Sequence, residues 1–239
     1  MTRLVALNSE HHRELRIDTG KIERQGANLR MVPVMPGEFL KLAIDYPIVL
    51  TKNAETGQFV CVALFGFADG ENLYWQDGRW DSLYTPLNIA RQPFFVGSGD
   101  DGQPMVCVDA HSPCACSEGA GERLFDEDGK ATAYLQKIQG MLAQLLDGEK
   151  QSAEFVQQLQ QLELIIPMHL EVTFADGKAQ RVEGLYTVDE KKLQALAGEP
   201  LQQLHVSGDL ARIHTMLTSL GHIYALIERR NRREATAAA

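Results

Sequence analysis

Residues 46–95 read YPIVLTKNAETGQFVCVALFGFADGENLYWQDGRWDSLYTPLNIARQPFF. Both tryptophans and the most apolar run of the chain lie in this stretch. Ile48–Thr51 is β-branched at most positions and reads as a strand. The polar segment 52–58, with Thr56-Gly57, reads as a hairpin turn. Phe59–Phe67 is apolar throughout except Gly66, which predicts a strand buried on both faces. Asp69-Gly70 marks a second turn, Asn72–Gln76 a further strand, and Asp77-Gly78 another tight turn. Together these strands predict an antiparallel meander. Thr85 then caps a short helix with Pro86 at its first position, and Pro93 ends it.

Toward the N-terminus the signal weakens. Leu15 and Ile17 alternate with charges and predict a short first strand. Met31–Pro36 must be extended, because its prolines exclude helix. Gly37–Asp45 has apolar residues at 39, 40, 43 and 44, a helical spacing that stops before Tyr46-Pro47.

Toward the C-terminus, Phe94–Val96 and Met105–Asp109 predict strands on either side of a Gly- and Asp-rich loop. Residues 110–123 have no period and read as a longer loop. A helix is predicted over 131–146, with Leu135, Ile138, Leu142, Leu145 and Leu146 on one stripe. Gly148 is read as its end, and a second helix over 151–164 would complete an αα-hairpin. Pro167 opens a β-hairpin with arms 169–174 and 179–188 around Ala175-Asp176-Gly177. Asp189 caps a helix over 190–196, and Pro200 opens a short helical turn. A long helix over 209–233 follows, with 210, 213, 217, 220, 224 and 227 as its apolar positions.

The fold class is therefore α+β, with an antiparallel sheet-rich N-terminal part and a helix-rich C-terminal part ending in a long helix. Composition shifts near residue 125. Within one domain over 1–239, that shift marks a candidate boundary between a β-rich core (1–110) and a helical and hairpin part (125–239).

With 239 residues the chain is long enough to bury a sizeable core. Its net charge of −9 argues against a nucleic-acid partner, which calls for a basic face. No run reaches the roughly 18 apolar residues of a membrane span. The N-terminus has neither the apolar segment nor the small-residue cleavage site of a secretory signal. These features lead us to expect a cytoplasmic protein with its four cysteines reduced, although signal-independent export would leave no such trace.

Several blocks stand out in order: EFLKLAIDYPIVL, ALFGFADGENLYWQDGRWDSLYTP, RQPFF, CVD, LFDEDGKAT, EGLYTVDEKKLQAL and LARIHTMLTSL. In this order and at these spacings the chain resembles the bacterial SapC family, over about residues 10–230. The family takes its name from a gene product associated with surface-layer formation. The resemblance implies a role with envelope, surface-layer or uptake systems, beside outer-membrane receptors and flavin-dependent halogenase-like neighbours. It implies no defined active site. Some members are called peptide transporter permeases, an activity that a chain without membrane spans cannot perform.

Two constellations carry candidate chemistry. Cys107, Asp109, His111, Cys114 and Cys116 combine thiolates, an imidazole and a carboxylate, a donor set that suits tetrahedral zinc. Their spacing lacks the two separated ligand pairs of standard zinc sites. The family resemblance carries the Cys-x-Asp but not the Cys-x-Cys. The competing reading is a surface loop with incidental thiols. The second constellation is Glu71, Asn72, Arg79, Trp80, Tyr84 and Arg91. Indole and guanidinium side by side suit an anion, a sugar or a peptide. The competing reading packs Trp75 and Trp80 in the core and pairs Arg79 with Asp81. LFDEDGKAT lacks the alternating acids of a calcium loop. The run Glu228-Arg-Arg-Asn-Arg-Arg233 suits an acidic partner or a membrane surface, or simply complements the helix dipole.

The sequence thus points to a non-catalytic accessory, binding or regulatory protein. The alternative is a small-molecule-binding or metal-dependent enzyme with its pocket near Trp80 and Arg91. A protein partner, a small ligand, or a second copy docked through the C-terminal helix would each be compatible with either reading.

Overall fold

The computed structural model describes residues 4–99, 102–117, 119 and 121–237. From the N-terminus come β1 (Leu4–Ala6), β2 (Arg16–Ile17), β3 (Met31–Pro33), α1 (Phe39–Leu42), β4 (Ile48–Lys52) and β5 (Phe59–Leu64). A small hairpin, β6 (Trp75–Gln76) and β7 (Arg79–Trp80), precedes α2 (Leu87–Ala90), β8 (Phe94–Ser98) and β9 (Pro104–Asp109). Next are β10 (Ala115–Cys116), β11 (Glu122–Arg123) and the long helix α3 (Ala133–Gln161). The C-terminal part holds β12 (Ile165–Pro167), β13 (Leu170–Thr173), β14 (Ala179–Val182), β15 (Leu185–Val188), α4 (Glu190–Ala195), α5 (Glu199–Ser207), α6 (Asp209–Ser219) and α7 (His222–Ala237). The α+β class with antiparallel sheets and a helical C-terminus is as expected.

These elements form two compact units that interleave along the chain: Met1–Gly26 with Leu87–Asp147, and Ala27–Pro86 with Gly148–Ala239. In the first unit, β9 lies between β1 and β8, with Val5 opposite Val108 and Phe95 opposite Cys107. β2 lies between β10 and β11. The strand at Leu4–Ala6 was not legible in the sequence, because three residues are too few to show a period.

The second unit is built on a five-stranded sheet in the order β12-β15-β4-β5-β3. β4 and β5 are its centre. Ile48, Val49 and Leu50 on one and Cys61, Val62, Ala63 and Leu64 on the other are all buried, matching the unbroken apolar run. α6 packs on β4, and the Ser219 hydroxyl accepts from the Ile48 N–H at 2.8 Å. Phe39 meets Phe155 edge to face, with ring centres 5.9 Å apart.

Four local expectations are corrected. The meander loses its third strand: β3 takes the other edge of β5, with Met31 opposite Leu64. Residues 72–74 turn instead, and only Trp75 and Gln76 pair, with Trp80 and Arg79. The predicted αα-hairpin is one continuous helix. Gly148 is a point of close approach, since a Cβ there would stand 2.7 Å from Met35 Cγ. The second arm of the 169–188 hairpin divides at Gly184, whose φ of +77° turns the chain so that β15 joins the main sheet while β14 stays with β13. Finally, the C-terminal helix breaks at Leu220-Gly221, which shifts its phase. Ile223 and Leu226 become the buried positions, and Tyr224, expected inward, is 76% exposed.

Among the described residues no helix is long and apolar enough to cross a membrane.

Candidate functional site

The 71–84 segment of the second unit is tied down by its own polar groups. Glu71 is buried, and its carboxylate accepts from the Phe67 N–H at 2.8 Å and from Ala68 at 3.3 Å. The Asn72 side chain accepts from the Tyr74 N–H at 2.8 Å. Asp77 and Gly78 both take positive φ, which lets β6 and β7 close tightly. Behind this segment lies an aromatic core. Tyr46 and Tyr74 are 4.5 Å apart between ring centres, and Trp80 meets Phe65 edge to face at 5.2 Å. The Trp80 indole donates to the Tyr46 hydroxyl at 2.7 Å, and that hydroxyl donates to the Tyr84 carbonyl at 2.6 Å. Burial pushes the Tyr46 hydroxyl up to about 12.

Against this segment α7 places four arginines. Arg229 donates to the Asp81 carboxylate at 2.6 Å and lies over the Tyr74 ring at 4.5 Å. Arg230 is paired with Glu71 and sits over Phe174 at 5.5 Å. Arg233 donates to the backbone carbonyls of Asn72 (2.6 Å) and Trp75 (3.0 Å). Arg232 is exposed, and its Nε donates to the Glu228 carbonyl at 3.4 Å. Between α7 and this segment is a cleft of about 570 Å³, with Asn28, Trp75, Gln76, Arg232, Arg233 and Thr236 in its wall.

The residues singled out from the sequence fall in several places. Asn72 lines the cleft, and Glu71 anchors its far wall through Arg230. Trp80 is buried in the aromatic core, and it is Trp75 that reaches the cleft. Arg79 is exposed on β7 opposite Gln76, and the partner of Asp81 is Arg229. The Tyr84 hydroxyl donates to Glu38 at 3.0 Å, and burial with that neighbouring carboxylate pushes it up. Arg91 belongs to the first unit, where it donates to Asn88 at 2.9 Å and lies over Phe95 at 4.4 Å. The cleft arginines were visible as a basic run, but nothing in that run said which of them face the 70s.

The thiol cluster does not converge. Cys107 faces Gly97, where a Cβ would stand 2.6 Å from its sulfur. Cys114 is fully buried and receives a long bond from Gln25 at 3.7 Å, while Cys116 points to the Arg16 carbonyl at 3.6 Å. The Asp109 carboxylate accepts from the His111 N–H at 3.1 Å, an ordinary turn contact. Among the described residues no three His, Cys, Asp or Glu side chains are grouped to hold a metal ion. Cys107 faces the β8 side of its hairpin, while Cys114 and Cys116 belong to the loop and strand that pair with β2.

The family model for SapC matches residues 7–226 of this chain. The chain belongs to the SapC family. Comparisons with curated proteins and with solved structures return no match. The SapC match spans the main sheet, the 71–84 segment and the first turn of α7, and it ends before the four arginines.

Proposed function

We propose that this SapC-family chain is a non-catalytic binding protein serving cell-envelope or uptake functions, and that it takes a small ligand into the cleft beside α7. The observation that carries this reading is the cleft. Its volume of about 570 Å³ falls within the usual range for small-molecule sites, and an aromatic, amides and guanidinium groups converge on it. Its walls are held by ion pairs and backbone hydrogen bonds, so the site is formed before a ligand arrives. The family resemblance supplies the cellular setting.

A ligand-observed NMR screen of a polar fragment library tests the reading. Thr236 is an exposed cleft-wall residue on α7, so Thr236→Trp fills the cleft without disturbing the core. Fragments bound by the native chain are expected to be lost in Thr236→Trp at an unchanged melting temperature. A screen whose hits bind both proteins equally would refute the assignment of the cleft.

A further inference from the structure

We infer that the ligand of this cleft is a polar small anion, a phosphate ester or a polycarboxylate. This rests on the cleft being a binding site. The argument is one of uncompensated charge. Of the charged groups in the wall, Asp81 is neutralised by Arg229, which donates to both its carboxylate and its carbonyl. Arg230, outside the wall, is shared by the Glu71 and Glu234 carboxylates. Two guanidinium groups remain, Arg232 and Arg233, and among the described residues neither has a carboxylate partner. The helix dipole accounts for cations near the end of α7, but not for Arg233 turning off the helix onto the carbonyls of Asn72 and Trp75. Those two bonds use one nitrogen, Nη2, and hold the planar fork in a fixed orientation.

Asp77 lines the same cleft and opposes an anion. Within the wall, Asp77 and Asp81 stand against Arg229, Arg232 and Arg233, a balance of one positive charge, and it is Arg232 and Arg233 that would meet a ligand whose negative charge is concentrated at one end. Asn28 and Gln76 supply amides that both donate and accept. They suit hydroxyl, carbonyl or phosphoester oxygens on the rest of the ligand better than an acyl chain. A fatty acid or other apolar anion would satisfy the arginines and strand these amides.

Titration calorimetry of the full chain tests this with inorganic phosphate, a hexose phosphate, citrate and octanoate as probes. The hexose phosphate or citrate is expected to bind at least about tenfold more tightly than octanoate, and more weakly as salt is raised. Whether the phosphate ester or the polycarboxylate is preferred separates the two sources of charge. Arg232→Ala, at an exposed position with no tertiary hydrogen bond or ion pair among the described residues, is expected to weaken binding about tenfold at unchanged stability. Asp77→Asn is expected to tighten it severalfold. Weakening by Asp77→Asn, or anion binding indifferent to Arg232, would overturn the inference. If no anion binds while fragments sensitive to Thr236→Trp do, the ligand class is wrong and the cleft stands. If neither binds, the cleft reading itself fails.

Discussion

Glu71 and Arg230 are paired across 159 residues of sequence, and through them the 71–81 segment and α7 hold one another. The Glu71 carboxylate has two jobs. One oxygen accepts from the Phe67 and Ala68 N–H groups and shapes the turn after β5; the other meets the guanidinium. Glu71 is 8% exposed, whereas the Arg230 side chain is 26% exposed, so solvent screens only one partner appreciably.

Glu71→Ala removes the pair and two backbone acceptor contacts at once. Breaking a fully buried pair costs about 3–5 kcal/mol, and the partial exposure of Arg230 lowers the expectation to about 2–3 kcal/mol. Arg230→Met keeps some stacking on Phe174 but leaves the carboxylate half-satisfied, so a loss of about 2 kcal/mol is expected. Urea denaturation measures both. A change below about 0.5 kcal/mol for Glu71→Ala would mean the pair contributes no more than a surface contact.

Three glycines in contrasting surroundings give a graded test of packing. A Cβ on Gly66 would meet the Glu71 carbonyl at 2.6 Å and its Cγ at 2.8 Å, so backbone must move. Gly66→Ala is expected to destabilise by about 1–3 kcal/mol. Gly148→Ala meets Met35 Cγ at 2.7 Å and Cβ at 2.9 Å; the Cγ can rotate away but the Cβ moves only with its backbone, so a cost remains, made smaller by the helix propensity gained over glycine. Gly140→Ala, in α3 with nothing within 4 Å, is expected to stabilise by about 0.5–1 kcal/mol. Melting temperatures should rank Gly140→Ala above native, then Gly148→Ala, then Gly66→Ala.

These cases also show what the sequence could reveal. The apolar run at 59–67 announces a central strand because burial on both faces leaves a continuous signature. Asp189 announces a helix start because the cap is local: its side chain accepts from the Lys192 N–H at 3.1 Å. Gly148 misleads because a glycine needed for close approach looks like one needed to end a helix. The cleft was half legible. Glu71 and Asn72 stood out, but Trp75 and Trp80 are indistinguishable in the sequence; they stand opposite one another in the hairpin, and only tertiary packing buries Trp80 against Phe65 and leaves Trp75 half-buried in the cleft wall. Which arginine meets which carbonyl depends on the phase of α7, and that phase is reset by the break at Leu220-Gly221.

The cysteines should react in an order set by burial. Cys61 is 2% exposed and burial pushes its thiol up to about 12; Cys114 is fully buried and pushed up for the same reason. Cys107 is 8% exposed, and Cys116 alone of the four is partly open. Thiol titration of the native protein is expected to show one fast equivalent, which Cys116→Ser abolishes, with the rest released by denaturant. A fast phase that survives Cys116→Ser would contradict this placement.

Alkaline pH should destabilise the second unit through Tyr46. Its hydroxyl donates into the core while accepting from Trp80, and burial is the main cause of its upward shift from 10 to about 12. Between these values the unfolded chain loses the proton and the folded chain keeps it. The folded state then binds more protons, so stability falls as pH rises from about 10 to about 12 and is unaffected by this group below about 10. Tyr46→Phe removes the titration and leaves the Trp80 indole its 3.0 Å bond to Ser82. The variant should lose about 1–2 kcal/mol at neutral pH. Its stability should then fall less steeply than the native chain's between pH 10 and 12, although Tyr74 and Tyr84, also pushed up by burial, retain part of the slope. Parallel slopes for the two proteins in denaturant titrations across this range would exclude Tyr46 as a source of the alkaline loss.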